Sequence, residues 1–226
     1  MGTRSVLLAG ATGLVGRECL RLLLPNETFD RIVVLSRRRL EPDVRSPKLE
    51  THVFDFDQLA MHADLFEVDS IICALGTTIK QAGSQEEFRR VDYEYALTIA
   101  RLGRARGARH FLLVSSLGAK AQSRVFYNRV KGELEDAVRA LGYPNVTILR
   151  PSLLLGPRAD FRVGEAIAKR ATKLVRPLLP TKLKPVAARA VAAALVDAAA
   201  TTEKRGVKIL ESGEIKPRSG PSRAAR

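Results

Sequence analysis

Short runs of apolar residues alternate with longer stretches of helical periodicity over the first 150 residues of the chain. The short runs have the length and the continuous apolar character of strands that are buried on both faces of a sheet. Strands are predicted at residues 5–9, 31–35, 51–54, 70–74, 110–114 and 146–149, and helices at residues 14–24, 86–106 and 125–141. Strands that alternate with helices in this way predict an α/β fold with a doubly wound parallel sheet.

The pattern is less regular after residue 150, where prolines interrupt shorter apolar segments. The elements predicted there are a basic helix at residues 161–175, an alanine-rich helix at residues 186–200 and a last strand at residues 207–210. A chain of 226 residues is long enough for one sizeable core. We therefore predict one domain over residues 1–212, with a small C-terminal lid at about residues 152–186. Residues 213–226, rich in Pro, Ser, Gly and Arg, are predicted to form a disordered basic tail.

Three glycines, Gly10, Gly13 and Gly16, separate the first predicted strand from the first predicted helix. Gly10 can adopt the backbone of a tight turn, Gly13 lets the main chain approach a phosphate, and Gly16 lets the helix pack closely on the sheet. The helix N-terminus adds amide groups and a dipole that favour a pyrophosphate. The turn therefore predicts a Rossmann fold that binds a nicotinamide dinucleotide. The cofactor-binding residues expected in it are Gly10, Thr12, Gly13, Leu14, Val15 and Gly16.

The end of the second predicted strand indicates which dinucleotide is bound. An acidic residue there would bond the ribose 2′-hydroxyl group of NAD, whereas an arginine can accommodate the 2′-phosphate of NADP. The sequence, Leu35-Ser36-Arg37-Arg38-Arg39, contains no carboxylate and three guanidinium groups. NADP(H) is therefore predicted in preference to NAD(H), with Arg37 as the first contact and Arg38 as the second. The alternative is a solvated basic loop in an arginine-rich protein.

Tyr127 and Lys131 are a candidate pair for proton transfer. Because they are four residues apart in a predicted helix, they lie on the same helix face. A nearby ammonium group favours tyrosinate and so lowers the pKa of a tyrosine from its usual value of about 10. The pair can therefore act as a general acid/base closer to neutral pH.

Further motifs around this pair make the chain resemble a known superfamily. Ser115 and Ser116 close the fifth predicted strand, and the helix that follows reads Tyr127-Asn-Arg-Val-Lys131. With the glycine turn, these residues resemble the short-chain dehydrogenase/reductase superfamily, in its atypical or extended branch. Over most of residues 4–211 the chain is similar to the small Tat-interacting-protein-like group of NADP(H)-binding proteins. The motifs that carry this similarity are Ala74-Leu-Gly-Thr-Thr78, Val91-Asp-Tyr93, Ser115-Ser-Leu-Gly-Ala119, Lys131-Gly-Glu-Leu-Glu135 and Leu149-Arg-Pro-Ser152.

The resemblance implies an NADP(H)-dependent oxidoreductase that moves a hydride between nicotinamide and a carbonyl or alcohol substrate. It makes Tyr127 the general acid/base and places Lys131 on the nicotinamide ribose. It makes Ser116 the residue that hydrogen-bonds the reacting carbonyl group, with Ser115 as the alternative. Many extended members carry asparagine where this chain has Asp92, and that departure affects the proton relay of the family. A second interpretation therefore stays open, namely a non-catalytic NADP(H)-binding module that senses redox state or regulates a partner.

The resemblance also extends the cofactor site beyond the glycine turn. Asp55, after the third predicted strand, would contact the adenine, and Phe56 follows it in the chain. Gly76, next to Leu75 after the fourth predicted strand, would let the backbone pass close to the ribose. All four residues are included in the predicted cofactor site.

The formal net charge of +14, with a pI of about 10.4, raises the question of an anionic partner. Arginine is scattered along the whole chain and aromatic residues make up only 5%, which argues against nucleic acid. The basic excess is greatest at residues 162–184, where it suits an anionic small-molecule substrate or peripheral contact with an acidic membrane surface. A solvated helix face would have the same composition.

The sequence shows no secretory signal and no metal-ligand spacing. The first apolar run is too short for a secretory signal and no run is long enough to span a bilayer, so a cytoplasmic protein is predicted. Cys19 and Cys73 lie in apolar stretches where free cysteine packs as a small hydrophobic residue. His52, His62 and His110 give no ligand spacing, so no metal site is expected.

Overall fold

The computed structural model describes residues 4–40, 44–155, 185–201 and 205–215. The strands in these ranges are β1 (Arg4–Ala9), β2 (Phe29–Ser36), β3 (Leu49–Val53), β4 (Ser70–Cys73), β5 (His110–Val114), β6 (Asn145–Arg150), β7 (Leu154–Leu155), β8 (Val186–Ala187) and β9 (Gly206–Glu211). Seven of them form a parallel sheet in the order β3-β2-β1-β4-β5-β6-β9, and β7 pairs with β8. The chain moves outward from β1 to β3 and then, in the other direction, from β4 to β9. This order confirms the predicted doubly wound sheet.

The helices occupy the connections between these strands. They are α1 (Leu14–Leu23), α2 (Ile79–Ala82), α3 (Gln85–Arg89), α4 (Ala96–Ala105), α5 (Phe126–Ala140) and α6 (Ala188–Ala200). A π-helical turn (Arg90–Tyr95) joins α3 to α4 without leaving helical backbone angles at either junction. The long helix predicted at residues 86–106 is therefore confirmed, with one π turn inside it. Such turns are frequent at functional sites.

Alternating strand residues supply two hydrophobic cores, one on each face of the sheet. Leu7, Val33 and Ile71 point to the face that α4 and α5 cover. Leu8 and Ile32 point to the opposite face, which α1 and α6 cover. Because both faces are buried, the strands read as continuous apolar runs in the sequence. The described residues contain no helix that is both long and apolar enough to cross a membrane.

Some elements differ from the prediction. The segment Phe56–Phe66 forms 3-10 helix, and the third strand begins at Leu49, two residues before the predicted start at 51. Most of the predicted lid and the basic segment, residues 156–184, lie outside the described residues, as do residues 216–226 of the predicted tail. Ile215 is buried in the core beside α6, so packed structure extends past the predicted boundary at residue 212.

A buried charge network ties α5 to the last strands of the sheet. The Arg150 Nε atom at the end of β6 donates to Glu135 Oε1 of α5 at 3.0 Å, and Arg150 Nη1 donates to Glu211 Oε1 at 3.1 Å. The Ser115 hydroxyl also donates to Glu135, which is only 1% exposed. The hydrogen bonds that Arg150 donates to Glu135 are the main cause that raises the pKa of Arg150. Arg150 is therefore the cation that pairs with the buried Glu135 carboxylate.

Arg150→Met should lower the free energy of unfolding by about 3 kcal/mol, because it leaves the buried Glu135 carboxylate without its cation. Urea denaturation followed by circular dichroism measures the change. Arg106→Met is the matched control, since it removes an exposed ion pair with Glu67 and should cost less than about 1 kcal/mol. Equal losses in the two variants would contradict the structural role of the network.

Candidate active site

The switch point of the sheet lies between the carboxyl ends of β1 and β4, where open α/β sheets form their ligand crevice. Pairing continues just past the strands, since the Ala74 N–H donates to the Ala9 carbonyl at 2.9 Å. Gly10 then turns with a φ of +89°. A Cβ atom at Gly10 would lie 2.5 Å from the Ala74 carbonyl oxygen and 2.9 Å from the Leu75 nitrogen. Only glycine fits, and the predicted residues Gly10 and Leu75 lie side by side at the crevice.

The N-terminus of α1 lies at the same turn. The Gly13 N–H donates to the Gly10 carbonyl at 2.9 Å, and Gly13 begins the helix without a side-chain cap. The first turn of α1 contains no acidic residue. A Cβ atom at Gly16 would lie 2.0 Å from the Gly10 carbonyl oxygen, so the helix can approach the turn only with glycine there.

This turn fits the pyrophosphate of a dinucleotide. It is a cradle that Cβ atoms would fill, and it stands at a helix N-terminus whose amide groups and dipole favour an anion. Thr12 and Leu14 are half-buried beside the cradle. The Val15 side chain is buried in the core, so Val15 can offer only its main chain.

The residues predicted to bind the 2′-phosphate and the adenine meet at the neighbouring ends of β2 and β3. The Arg37 guanidinium lies 6.0 Å above the ring of Phe56, which is 3% exposed and so supports the arginine from the core. Asp55 is exposed and caps the 3-10 helix by accepting a backbone hydrogen bond at 3.1 Å. The Ser36 hydroxyl donates to the Arg38 carbonyl at 2.6 Å, which fixes the turn. Both Arg37 and Arg38 are exposed at this end of the crevice.

A surface pocket lies between α1 and the loop that follows β2. Arg39, the third arginine of the triplet, borders it together with Arg17 and Thr12. The lining residues are Ala11, Thr12, Arg17, Leu20, Arg21, Leu24, Arg39, Leu40 and Val44. Arg17 was not predicted, because one arginine in the first turn of a helix gives no signal in the sequence. The basic surface beside the glycine turn is thus broader than the triplet alone.

Lys131 and Tyr127 share the N-terminal part of α5, and Asp92 of the π turn lies against the lysine. Lys131 Nζ is 2.7 Å from Asp92 Oδ1, and the two residues are 3% and 1% exposed. Burial alone would lower the pKa of Lys131, but Asp92 and then Tyr127 outweigh burial, so this pKa is raised. A Cβ atom at Gly76 would lie 3.6 Å from Asp92 Oδ1 and 3.9 Å from Lys131 Nζ. The charged pair therefore lies next to the Gly76 backbone, at the crevice.

The two serines after β5 have different surroundings. Ser115 is buried, and its hydroxyl is bonded to Glu135 in the charge network. Ser116 is half-buried, and among the residues that the structure describes its hydroxyl makes only a long contact of 3.5 Å, to the Leu117 carbonyl. Of the two, Ser116 is therefore the one whose hydroxyl can turn to a substrate.

Two close contacts set the position of α5, one with the loop that carries Ser116 and one with α3. A Cβ atom at Gly132 would lie 2.2 Å from the Lys120 carbonyl carbon, so the helix meets the loop backbone directly. The Tyr127 ring packs on Phe88 of α3 with centroids 5.3 Å apart. Neither Gly132 nor Phe88 was predicted as a site residue, and the glycine inside a helical pattern was the one available signal.

Comparisons with known proteins agree with this geometry. A family model described as NAD(P)H-binding matches residues 10–202. Protein HTATIP2 of Rattus norvegicus is 36% identical over 172 residues, which cover 75% of this chain and 71% of that protein. Protein fmp52, mitochondrial, of Emericella nidulans is 36% identical over 170 residues, which cover 73% of each protein. The predicted resemblance to NAD(P)H-binding proteins is confirmed.

Solved structures give the same fold at low sequence identity. MoeE5 in complex with UDP-glucose and NAD has a TM-score of 0.68 at 18% identity and covers 91% of this chain and 75% of its own. UDP-glucose 4-epimerase from Thermotoga maritima has a TM-score of 0.70 at 14% identity, with 92% and 77% covered. These likenesses confirm the predicted Rossmann-type architecture.

The relatives also correct the predicted location. Proteins from Emericella nidulans, Aspergillus niger and Candida albicans carry the word mitochondrial in their names. The prediction of a cytoplasmic protein is therefore wrong. It was based on the lack of a secretory signal, and that lack says nothing about import into an organelle.

Gly16→Ala should weaken NAD(P)H binding by at least about tenfold. The added methyl group forces α1 away from the Gly10 carbonyl and displaces the amide groups that face the pyrophosphate. Fluorescence titration with NADPH and with NADH measures the affinity. Glu18→Ala, on the same helix, is the control and should bind as the wild type does. Unchanged affinity in Gly16→Ala would show that the close approach of α1 is not needed.

Proposed function

Because the chain belongs to the NAD(P)H-binding family, we propose that it is an NADP(H)-dependent oxidoreductase of the short-chain dehydrogenase/reductase type. It transfers a hydride between nicotinamide and a carbonyl or alcohol substrate, a small molecule. One observation carries this proposal. The Lys131 ammonium group, on the helix of Tyr127, is buried and charged directly beneath Gly76 at the dinucleotide crevice.

The residues of this chain handle the proton of the reaction. In the direction of reduction, Tyr127 gives its hydroxyl proton to the substrate oxygen, and Ser116 donates a hydrogen bond to the same oxygen. Lys131 holds the nicotinamide ribose and stabilises the negative charge left on Tyr127, with which it interacts electrostatically. The nicotinamide, when bound, supplies or accepts the hydride. In the direction of oxidation the same groups act in reverse.

The preference for NADP(H) is supported by the charges at the adenine end. The Arg37 guanidinium packs over the ring of Phe56, next to Asp55. Arg38 is the next residue, in a turn that the Ser36 hydroxyl stabilises by a hydrogen bond. Guanidinium groups bind phosphate with two parallel hydrogen bonds, which the hydroxyl group of NAD cannot match. We propose Arg37 as the main contact and Arg38 as the second.

A second candidate function is favoured by the ion pair at Lys131. The Asp92 carboxylate neutralises the ammonium group that would otherwise act on Tyr127 as a full charge. A protein with this arrangement could bind NADP(H) and sense redox state, or regulate a partner, with little turnover. The two functions differ in whether NADPH is oxidised by a carbonyl compound.

Tyr127→Phe should reduce turnover by about 100-fold or more while NADPH binding stays within about twofold, because only the proton donor is lost. Aldehydes, ketones and quinones are first screened with NADPH and the wild-type protein by the loss of NADPH absorbance. Tyr93→Phe is the matched control, because Tyr93 lies in the π turn with its ring under Arg89. Full turnover in Tyr127→Phe would contradict the mechanism. Tight NADPH binding without any oxidation would favour the sensor.

Arg37→Ala should weaken NADPH binding by about tenfold and leave NADH binding unchanged, because a charge-assisted pair with the 2′-phosphate is lost. Parallel titrations with the two cofactors measure the difference. Arg101→Ala, on exposed α4 surface, controls for the loss of one positive charge. Equal losses for NADPH and NADH would contradict the assignment of Arg37.

A further inference from the structure

Asp92 is a buried carboxylate to which the proposed reaction gives no role. Its Oδ1 atom lies 2.7 Å from Lys131 Nζ, and its Oδ2 atom accepts a hydrogen bond from the Thr77 N–H at 2.8 Å. One side chain in the π turn thus joins the loop after β4 to α5. One oxygen forms an ion pair with α5 and the other accepts a main-chain hydrogen bond from the loop.

The groups that face Lys131 include one carboxylate. They are Asp92 from the π turn, Tyr127 from α5 and Cys73 from β4. Burial raises the pKa of the Cys73 thiol to about 11, so this sulfur is uncharged at neutral pH. Glu135, one turn farther along α5, is already bound to Arg150. In the described part of the chain, Asp92 is therefore the counter-ion of Lys131.

An ammonium group that is buried without a counter-ion tends to lose its proton, because removal from water disfavours the charged form. Lys131 is removed from water in this way, since it is only 3% exposed. Its pKa is nevertheless raised, since Asp92 outweighs the effect of burial. Without the carboxylate, only the interactions with Tyr127 and Cys73 would oppose burial among the groups of the described residues that raise this pKa.

We propose that Asp92 is a positioning residue that keeps Lys131 protonated and directed at the cofactor beneath Gly76. The inference rests on the proposed function, in which Lys131 holds the nicotinamide ribose. An asparagine cannot replace Asp92 here, because an amide has no charge and one acceptor oxygen instead of two. It would satisfy either the Thr77 N–H or Lys131, but not both.

Asp92→Asn tests this role through the pH dependence of cofactor binding. NADPH affinity is measured by fluorescence titration from about pH 7 to about pH 10 and expressed as the ratio of variant to wild type. A lowered pKa of Lys131 means that its proton is lost as the pH rises. The ratio should therefore be close to one at the low end and fall by about tenfold at the high end. Asp136→Asn, an exposed carboxylate of α5, is the matched control and should give a constant ratio.

The outcomes separate the inference from the proposed function. A ratio for Asp92→Asn that stays constant over this range overturns the role of Asp92 and leaves the proposed function intact. A wild-type protein that binds neither NADPH nor NADH overturns the proposed function, and the inference with it.

A second pair of variants applies if thermal melting shows that Asp92→Asn does not fold. Lys131→Met leaves the buried Asp92 carboxylate unpaired beside an anionic cofactor, and Lys131→Met/Asp92→Asn removes that charge as well. The double variant should bind NADPH as tightly as Lys131→Met or more tightly. Weaker binding by the double variant would show that Asp92 acts independently of Lys131, and would overturn the inference.

Discussion

The close approach of Gly10 to the backbone at Ala74 and Leu75 is the constraint on which the site depends. A side chain at Gly10 would meet the Ala74 carbonyl oxygen at 2.5 Å, so the ends of β1 and β4 can lie together only without one. Helix α1 then meets the same turn at Gly16, and its amide groups face the crevice. Arg37 and Arg38 lie on one side of this turn, and Lys131 lies on the other.

Two ion pairs hold α5 in place along its axis, one in which α5 supplies the cation and one in which it supplies the carboxylate. Lys131 is bound to Asp92 of the neighbouring helix, and Glu135, one turn later, is bound to Arg150 of the sheet. A shift of α5 by one turn would bring like charges together, which a buried site does not tolerate. Tyr127 lies one turn before Lys131, so its position is set by charge pairing as well as by its packing on Phe88. The same network includes Ser115, whose hydroxyl is bound to Glu135, whereas the Ser116 hydroxyl is not part of it.

The strands and the glycine turn could be predicted because their signals are local. Apolar runs bounded by polar residues placed most strand ends within about two residues, and the turn follows directly from glycine spacing. The β7 and β8 pair was missed, since two-residue strands have no period. The contact of Asp92 with Lys131 joins distant parts of the sequence, and no local pattern marks it. The different surroundings of Ser115 and Ser116 depend on the direction in which each side chain points after the strand end. The sequence does not define that direction.

The ion pair also determines how far the influence of Lys131 extends. An isolated cation acts over a long distance in a protein interior, whereas a cation held at 2.7 Å from a carboxylate acts as a dipole whose field falls off faster. Tyr127 is close enough to retain a favourable interaction with Lys131 despite the carboxylate. The ion pair is close to neutral as a whole, so the crevice gains little net charge from it. In the proposed function, the arginines and the N-terminus of α1 therefore attract the cofactor phosphates, and Tyr127 of α5 acts as the general acid/base.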